Sequence, residues 1–266
     1  MKKNKDREME EREAFLQWFT EEVPDSLFPQ IAAQVLFRCL DCGECCRGEG
    51  YALVDEGDIK EIARALGISR SEARARFTQP DPEKNPGCRI LKSTGPMNTC
   101  CFLDALANKC KIYSSRPRIC RTFPMLNSDP LADEAICFYS DCQGTHRFAK
   151  MIQDKRNDPR VQKDMEKLAE QPERLLALRI SLFVWLRRML GRIEEADLIC
   201  RITGIRPPQD ESAFESDCLA YFFMTIKTEG LEEYLAEGND GNITADKRPG
   251  PHLPDDKRAA RNPGQL

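Results

Sequence analysis

Histidine is nearly absent: the 266 residues contain two, His146 and His252. That scarcity excludes most hydrolytic zinc sites and the non-haem iron oxygenases, whose metals need imidazole ligands. Long apolar runs are missing too. Met1 to Glu13 is mostly Lys, Arg and Glu, which predicts no secretory signal. The most apolar helical stretch, Leu175 to Leu190, is too short to cross a bilayer and is interrupted by Arg179, Arg187 and Arg188. These absences predict no transmembrane segment and a reducing, cytoplasmic location. Neither sign of charge dominates, with 40 basic residues against 44 acidic ones, so no global field draws the chain to nucleic acid or anionic lipid. No Gly-rich loop after a strand offers a cofactor cradle.

Cysteine is abundant, thirteen in all. Cys39, Cys42, Cys45 and Cys46 form a CxxCxxCC cluster followed directly by Arg47. A disulfide framework would need an oxidising compartment, and usually a short secreted chain. Core burial accounts for Cys200 and Cys218, each in an apolar helical pattern, but not for vicinal pairs. Ligation of metal through sulfur alone accounts for them. Cys39, Cys42 and Cys45 carry the spacing that wraps three thiolates around one corner of an iron–sulfur cluster. A single zinc more usually pairs one CxxC with another, and Cys101, Cys110, Cys120, Cys137 and Cys142 supply no second CxxC. The spacing therefore favours iron, as iron–sulfur, over zinc. In extended backbone, neighbours such as Cys45 and Cys46, or Cys100 and Cys101, would point to opposite sides. Arg38, Arg47, Arg116, Arg118 and Arg121 lie close in sequence to these cysteines and would offset thiolate charge. His146 reads as an ordinary helix-start residue.

The pattern predicts a helix-rich α+β fold: an irregular, cysteine-lined metal module containing a short hairpin, followed by a helical module. The expected division is 1–145 for the metal module with its N-terminal helices, 146–237 for the helical module and 238–266 for a disordered tail. A charged helix carrying Phe15, Trp18 and Phe19 breaks near Pro24 and continues through Ile31, Val35 and Leu36, and both helices are expected to pack around the metal module. Asp55 reads as the N-cap of a helix ended by Gly67, and Ser69 with Glu72 as the start of another. Thr78 to Asn98 reads as a Pro- and Gly-rich loop. Cys101, Phe102 and Leu103 then face Cys110, Ile112 and Tyr113 in a hairpin around Asn108, bringing Cys101 near Cys110. Helices are expected at about 145–156, 158–170, 172–191, 193–202, 211–228 and 230–236. Leu175, Leu178, Leu182, Trp185 and Met189 share one helical face, which would pack in a core or against a protein partner.

Three motifs in succession, CxxCGxCCR at 39–47, CFLD at 101–104 and CxIYxxRPxxCRxFP from Cys110 to Pro124, resemble the YkgJ-type cysteine-cluster family, whose domain is described as zinc- or iron-chelating. The resemblance covers about residues 35–145. It implies metal ligands at Cys39, Cys42, Cys45, Cys46, Cys101, Cys110 and Cys120, completed by Cys137 or Cys142. Cys88 and Cys100 fall outside the motifs. It also implies packing roles for Tyr113 and Phe123.

These features predict a protein that chelates iron or zinc through thiolates in a structural, storage or sensing role. Relatives with similar clusters include flagellin lysine methylases, so an enzyme using the cluster for redox or methyl-transfer chemistry is the alternative. A metal-dependent DNA-binding regulator is the third reading, because residues 62–76 resemble a helix-turn-helix with Arg70, Arg74 and Arg76 on its recognition face. The balanced charge weighs against nucleic acid as a partner.

Overall fold

A computed structural model describes residues 2–47, 52–83, 87, 89–126, 142–208 and 210–226. Cys88, Cys137, the expected helix 230–236 and the expected tail from 238 lie outside the described residues. Ten α-helices and seven short strands make up the described part. The helices α1 (Lys2–Glu22) and α2 (Leu27–Leu36) come first. A 3-10 turn (Glu44–Cys46), β1 (Leu53–Val54), α3 (Glu56–Leu66), α4 (Arg70–Phe77) and β2 (Thr78–Pro80) follow. Next come β3 (Arg89–Leu91), β4 (Ser93–Thr94), β5 (Thr99–Cys100), β6 (Leu103–Asp104), β7 (Lys109–Cys110) and α5 (Arg118–Thr122). The chain closes with α6 (Gln143–Lys155), α7 (Pro159–Ala169), α8 (Pro172–Met189), α9 (Ile193–Thr203) and α10 (Glu211–Thr225). No described helix is long and apolar enough to cross a membrane. The fold is the helix-rich α+β expected from the pattern.

Three cores organise it. The largest joins Phe15, Phe19, Phe28 and Ile31 of α1 and α2 to Leu178, Leu182, Phe183 and Val184 of α8, with Ala196 and Ile199 of α9 and Phe214 of α10. The N-terminal helices thus pack mainly with the downstream helices, contrary to the expectation that they wrap the metal module. Their apolar stripes are answered by α8, which is buried over a wide arc because it contacts α2, α7 and α9. The apolar face of α8 is consequently covered by the chain's own helices. Its arginines are absorbed as well: Arg179 stacks on Phe28 and pairs with Asp25, while Arg187 stacks on Phe183 and pairs with Glu195. Cys200 and Cys218 are buried in this core, as their helical patterns indicate.

The second core, with Ala33, Phe37, Met125, Phe148, Ile152 and Phe222, lies where α2, α6 and α10 meet the metal module. The third sits under the cysteines: Val54, Ile59, Ile62, Ala63, Ala73, Leu91, Phe102 and Ile112, with Cys100, Cys101 and Cys110 packed against it. Its α3 starts with a full capping box, Asp55 accepting from the Asp58 N–H at 2.9 Å and Asp58 from the Asp55 N–H at 3.3 Å. It ends at Gly67, whose φ of 65° suits a residue without Cβ. Ser69 accepts from the Glu72 N–H and starts α4.

The segment 78–98, expected as a loop, contains strands. β3 is the centre of an antiparallel sheet ordered β1-β3-β2, with Leu53 opposite Ile90 and Thr78 opposite Leu91. Strands of two or three residues carry no period to read, and β1 lies far upstream in sequence, so the pairing leaves no local signal.

Gly144, at the start of α6, marks a close approach. A Cβ there would lie 2.7 and 2.9 Å from ring atoms of Phe37 and 3.3 Å from the Arg38 carbonyl oxygen. Phe37 precedes Cys39 by two residues and Cys142 precedes Gly144 by two, so this contact brings the two cysteine segments together. Gly144→Ala should destabilise the protein by about 1–3 kcal/mol through overpacking, outweighing the roughly 0.5–1 kcal/mol helix-propensity gain. Urea unfolding followed by tryptophan fluorescence would measure it, and an unchanged or raised midpoint would refute it.

Candidate metal centre

The CxxCxxCC segment wraps rather than extends. Asp41 and Gly43 both have left-handed backbone, φ 55° and 76°, and the Asp41 N–H points at Cys39 Sγ, 3.4 Å away. Cys45 and Cys46 lie in the 3-10 turn, where neighbouring side chains diverge by about 120° rather than the half-turn of a strand. Their thiols therefore hydrogen-bond to each other. This corrects the expectation of opposed side chains, which assumed extended backbone.

Downstream, the hairpin of β6 and β7 sets Leu103 opposite Cys110 and Asp104 opposite Lys109. Asp104 accepts from the Leu106 and Ala107 N–H groups at 3.0 and 3.1 Å, forming the turn, and these bonds hold its carboxyl below the usual range. Cys101 is two residues removed from the residue facing Cys110, and its thiol sulfur lies 3.8 Å from the Phe77 carbonyl while hydrogen-bonded to Cys100. Cys100, in β5 opposite Ser93, is the thiol that interacts electrostatically with Cys45, Cys46, Cys110 and Cys120. Of this vicinal pair, Cys100, outside the motifs, is the one that acts on the other thiols, and Cys101 is hydrogen-bonded to it beside the Phe77 carbonyl of α4.

Cys120 rides on α5, whose start is anchored from α3. The Arg118 N–H donates to Asp58 at 2.9 Å and its guanidinium pairs with Asp55. Asp58 is only 5% exposed, and burial raises its carboxyl pKa even with these donors. The turn after α5 is clamped from α2. Gln34, buried, donates to the Arg121 carbonyl at 3.2 Å and accepts from the Met125 N–H at 3.3 Å. Cys142 stands at the head of α6 and interacts with Cys42 and Cys45. Cys39 is at the rim, hydrogen-bonded to Tyr113.

One guanidinium serves this assembly. Arg116 acts favourably on Cys45, Cys110 and Cys120. It is held by Tyr113, whose carbonyl accepts from Nε at 3.0 Å and whose ring lies 3.7 Å beneath the guanidinium carbon. Tyr113, expected as a packing residue, is 43% exposed and positions this cation. Three of the other arginines are engaged elsewhere: Arg38 with Glu215, Arg118 with Asp55 and Asp58, Arg47 with Asn108 and Glu44.

Thiol acidities divide accordingly. In each vicinal pair one thiolate is favoured because its neighbour's S–H donates to it, bringing Cys45 and Cys100 down to about 7. The same bonds, with burial, push Cys46 and Cys101 up. Burial first, and then the charges of Cys100 and Cys45, raise Cys120. Burial raises Cys110 and Cys142.

The eleven described cysteines are all unbridged. Among the described residues no three His, Cys, Asp or Glu side chains stand at metal-holding spacing. The donor set is thiol in character, with soft ligands suited to zinc or iron.

Residues 38–143 match the model of the CxxCxxCC family, described as a "Putative zinc- or iron-chelating domain". The uncharacterized protein MJ0661 of Methanocaldococcus jannaschii is 36% identical over 90 residues, which are 34% of this chain and 45% of that protein. The chain thus spans less than half the length of this curated relative. No solved structure matches.

Because the thiolate is the reacting form, alkylation rises as pH climbs through a thiol's pKa. In metal-free protein, iodoacetamide labelling mapped by mass spectrometry should have midpoints near pH 7 at Cys45 and Cys100, with Cys120 resisting until well above neutrality. A common midpoint for all three would contradict the thiol network.

Proposed function

We propose that the chain is a metal-chelating protein whose centre holds iron or zinc through thiolates of Cys45, Cys46, Cys100, Cys110 and Cys120, with Cys42 and Cys142 adjoining and Cys39 at the rim. The observation that carries this reading is that Arg116 acts on thiols from three separate segments, Cys45, Cys110 and Cys120, and that Cys100, from a fourth, acts on the same three. This reading leaves Cys101 out of that set and gives it the role of hydrogen-bonding Cys100. The CxxCxxC spacing favours iron, as iron–sulfur, and the role proposed is to hold metal, for structure, storage or sensing. When bound, the metal would supply the positive charge that the clustered thiolates need.

The DNA-binding reading gains no support from the helix pair α3 and α4. Arg74 pairs with Glu56 and Arg76 with Glu72, the latter also packing on Phe77 at 5.0 Å. Those pairs engage two of the three arginines of that face, and the buried sides of both helices carry the core beneath the cysteines. A methyl-transfer or redox reading would want a cofactor cleft beside the thiols. The two described surface cavities lie among α1, α8 and α9, and no cysteine lines either.

Protein purified without oxygen should contain iron or zinc, measured by elemental analysis with acid-labile sulfide and an absorption spectrum. Cys120→Ser and Cys100→Ser should each lose most of the metal, whereas Cys101→Ser should keep it. Equal metal in all three variants would sink the assignment, and metal lost only from Cys101→Ser would reverse it.

A further inference from the structure

We propose that Asn108 is a positioning residue for the metal centre, a latch that fixes the CxxCxxCC loop against the hairpin carrying Cys110; the inference rests on the reading of the centre as a metal site. Asn108 sits at the hairpin tip with φ 53°, a left-handed conformation that Asn tolerates better than most residues. Its amide points across to a segment more than sixty residues upstream. Nδ2 donates to the Cys42 carbonyl at 2.5 Å, and Oδ1 accepts from Arg47 Nη2 at 2.5 Å. Arg47 also reaches the Cys42 carbonyl at 3.5 Å and Glu44 at 3.8 Å, so one planar amide links both ends of the loop.

The loop is shaped to receive it. Gly43 has φ 76°, and a Cβ there would stand 2.6 Å from Asn108 Oδ1 and 2.8 Å from an Arg47 guanidinium nitrogen. A residue with any side chain at position 43 would drive the amide out. Both functions of the amide are used, a donor toward a carbonyl and an acceptor toward a guanidinium, so its near-isostere fails. Aspartate would keep the Arg47 partner while setting an oxygen against the Cys42 carbonyl and adding negative charge beside the thiols. Glycine would keep the turn and remove the latch.

Residues that orient ligands from behind them typically govern metal affinity by about ten- to a hundredfold. The test uses full-length protein purified without oxygen with its native metal, and follows transfer of metal to excess EDTA. Asn108→Gly and Asn108→Asp should both hold the wild-type amount of metal yet release it at least about tenfold faster. Urea unfolding reported by Trp18 and Trp185, which pack in the helical core away from the hairpin, should be unmoved. Release at the wild-type rate from both variants, with metal present in the wild type, overturns the latch and leaves the centre standing. A wild-type protein that carries no metal overturns the underlying reading instead.

Discussion

Crowding several ionisable thiols around a single guanidinium is the constraint on which this architecture turns. Thiolates a few ångströms apart repel one another, and Arg116 supplies one positive charge. Burial at Cys110, Cys120 and Cys142 and the Cys45 hydrogen bond at Cys46, with neighbouring thiolate charge adding to each, favour the protonated thiols. A soft divalent ion relieves the repulsion and replaces those protons. The fold must therefore press together groups that, once ionised, push apart.

It does so from outside the cluster. The α3 capping box holds a helix end and also receives Arg118, so the carboxylates that start one helix set the start of the helix bearing Cys120. Gln34 grips the far side of that helix from α2. The contact of Gly144 with Phe37 draws Cys142 toward the first motif. Each device belongs partly to the apolar cores, so packing energy in the helices is transmitted to sulfur positions through short, directional contacts. The cysteine-bearing segments and the downstream helices share these supports.

Much of this was legible in the sequence. Asp55, Gly67 and Ser69 announced their helices because capping is local chemistry, and the five described helices after Cys142 lie within a few residues of where their periods put them. The concentration of cysteines in the upstream half was legible as well. Which thiol of a vicinal pair acts on the others was not: the side chosen by Cys100 depends on β5 pairing with β4 and on Cys101 meeting Phe77. The backbone at Cys45 and Cys46 depends on left-handed residues just upstream. Arginines near cysteines in sequence likewise gave no sign that Asp55, Glu215 and Asn108 would claim three of them.

Sequence distance gives the centre a further property. Cys45, Cys100 and Cys120 are far apart along the chain, and an ion held between the first two closes a loop of about fifty residues, which in the chain-entropy model of a cross-link removes roughly 4 kcal/mol of freedom from the unfolded state. The thiols supplied by β5, the hairpin and α5 meet the first motif across the sheet and helix pair that separate them in sequence. The ion would then act as a late fastening, closing long loops once the packing beneath it has brought their ends together.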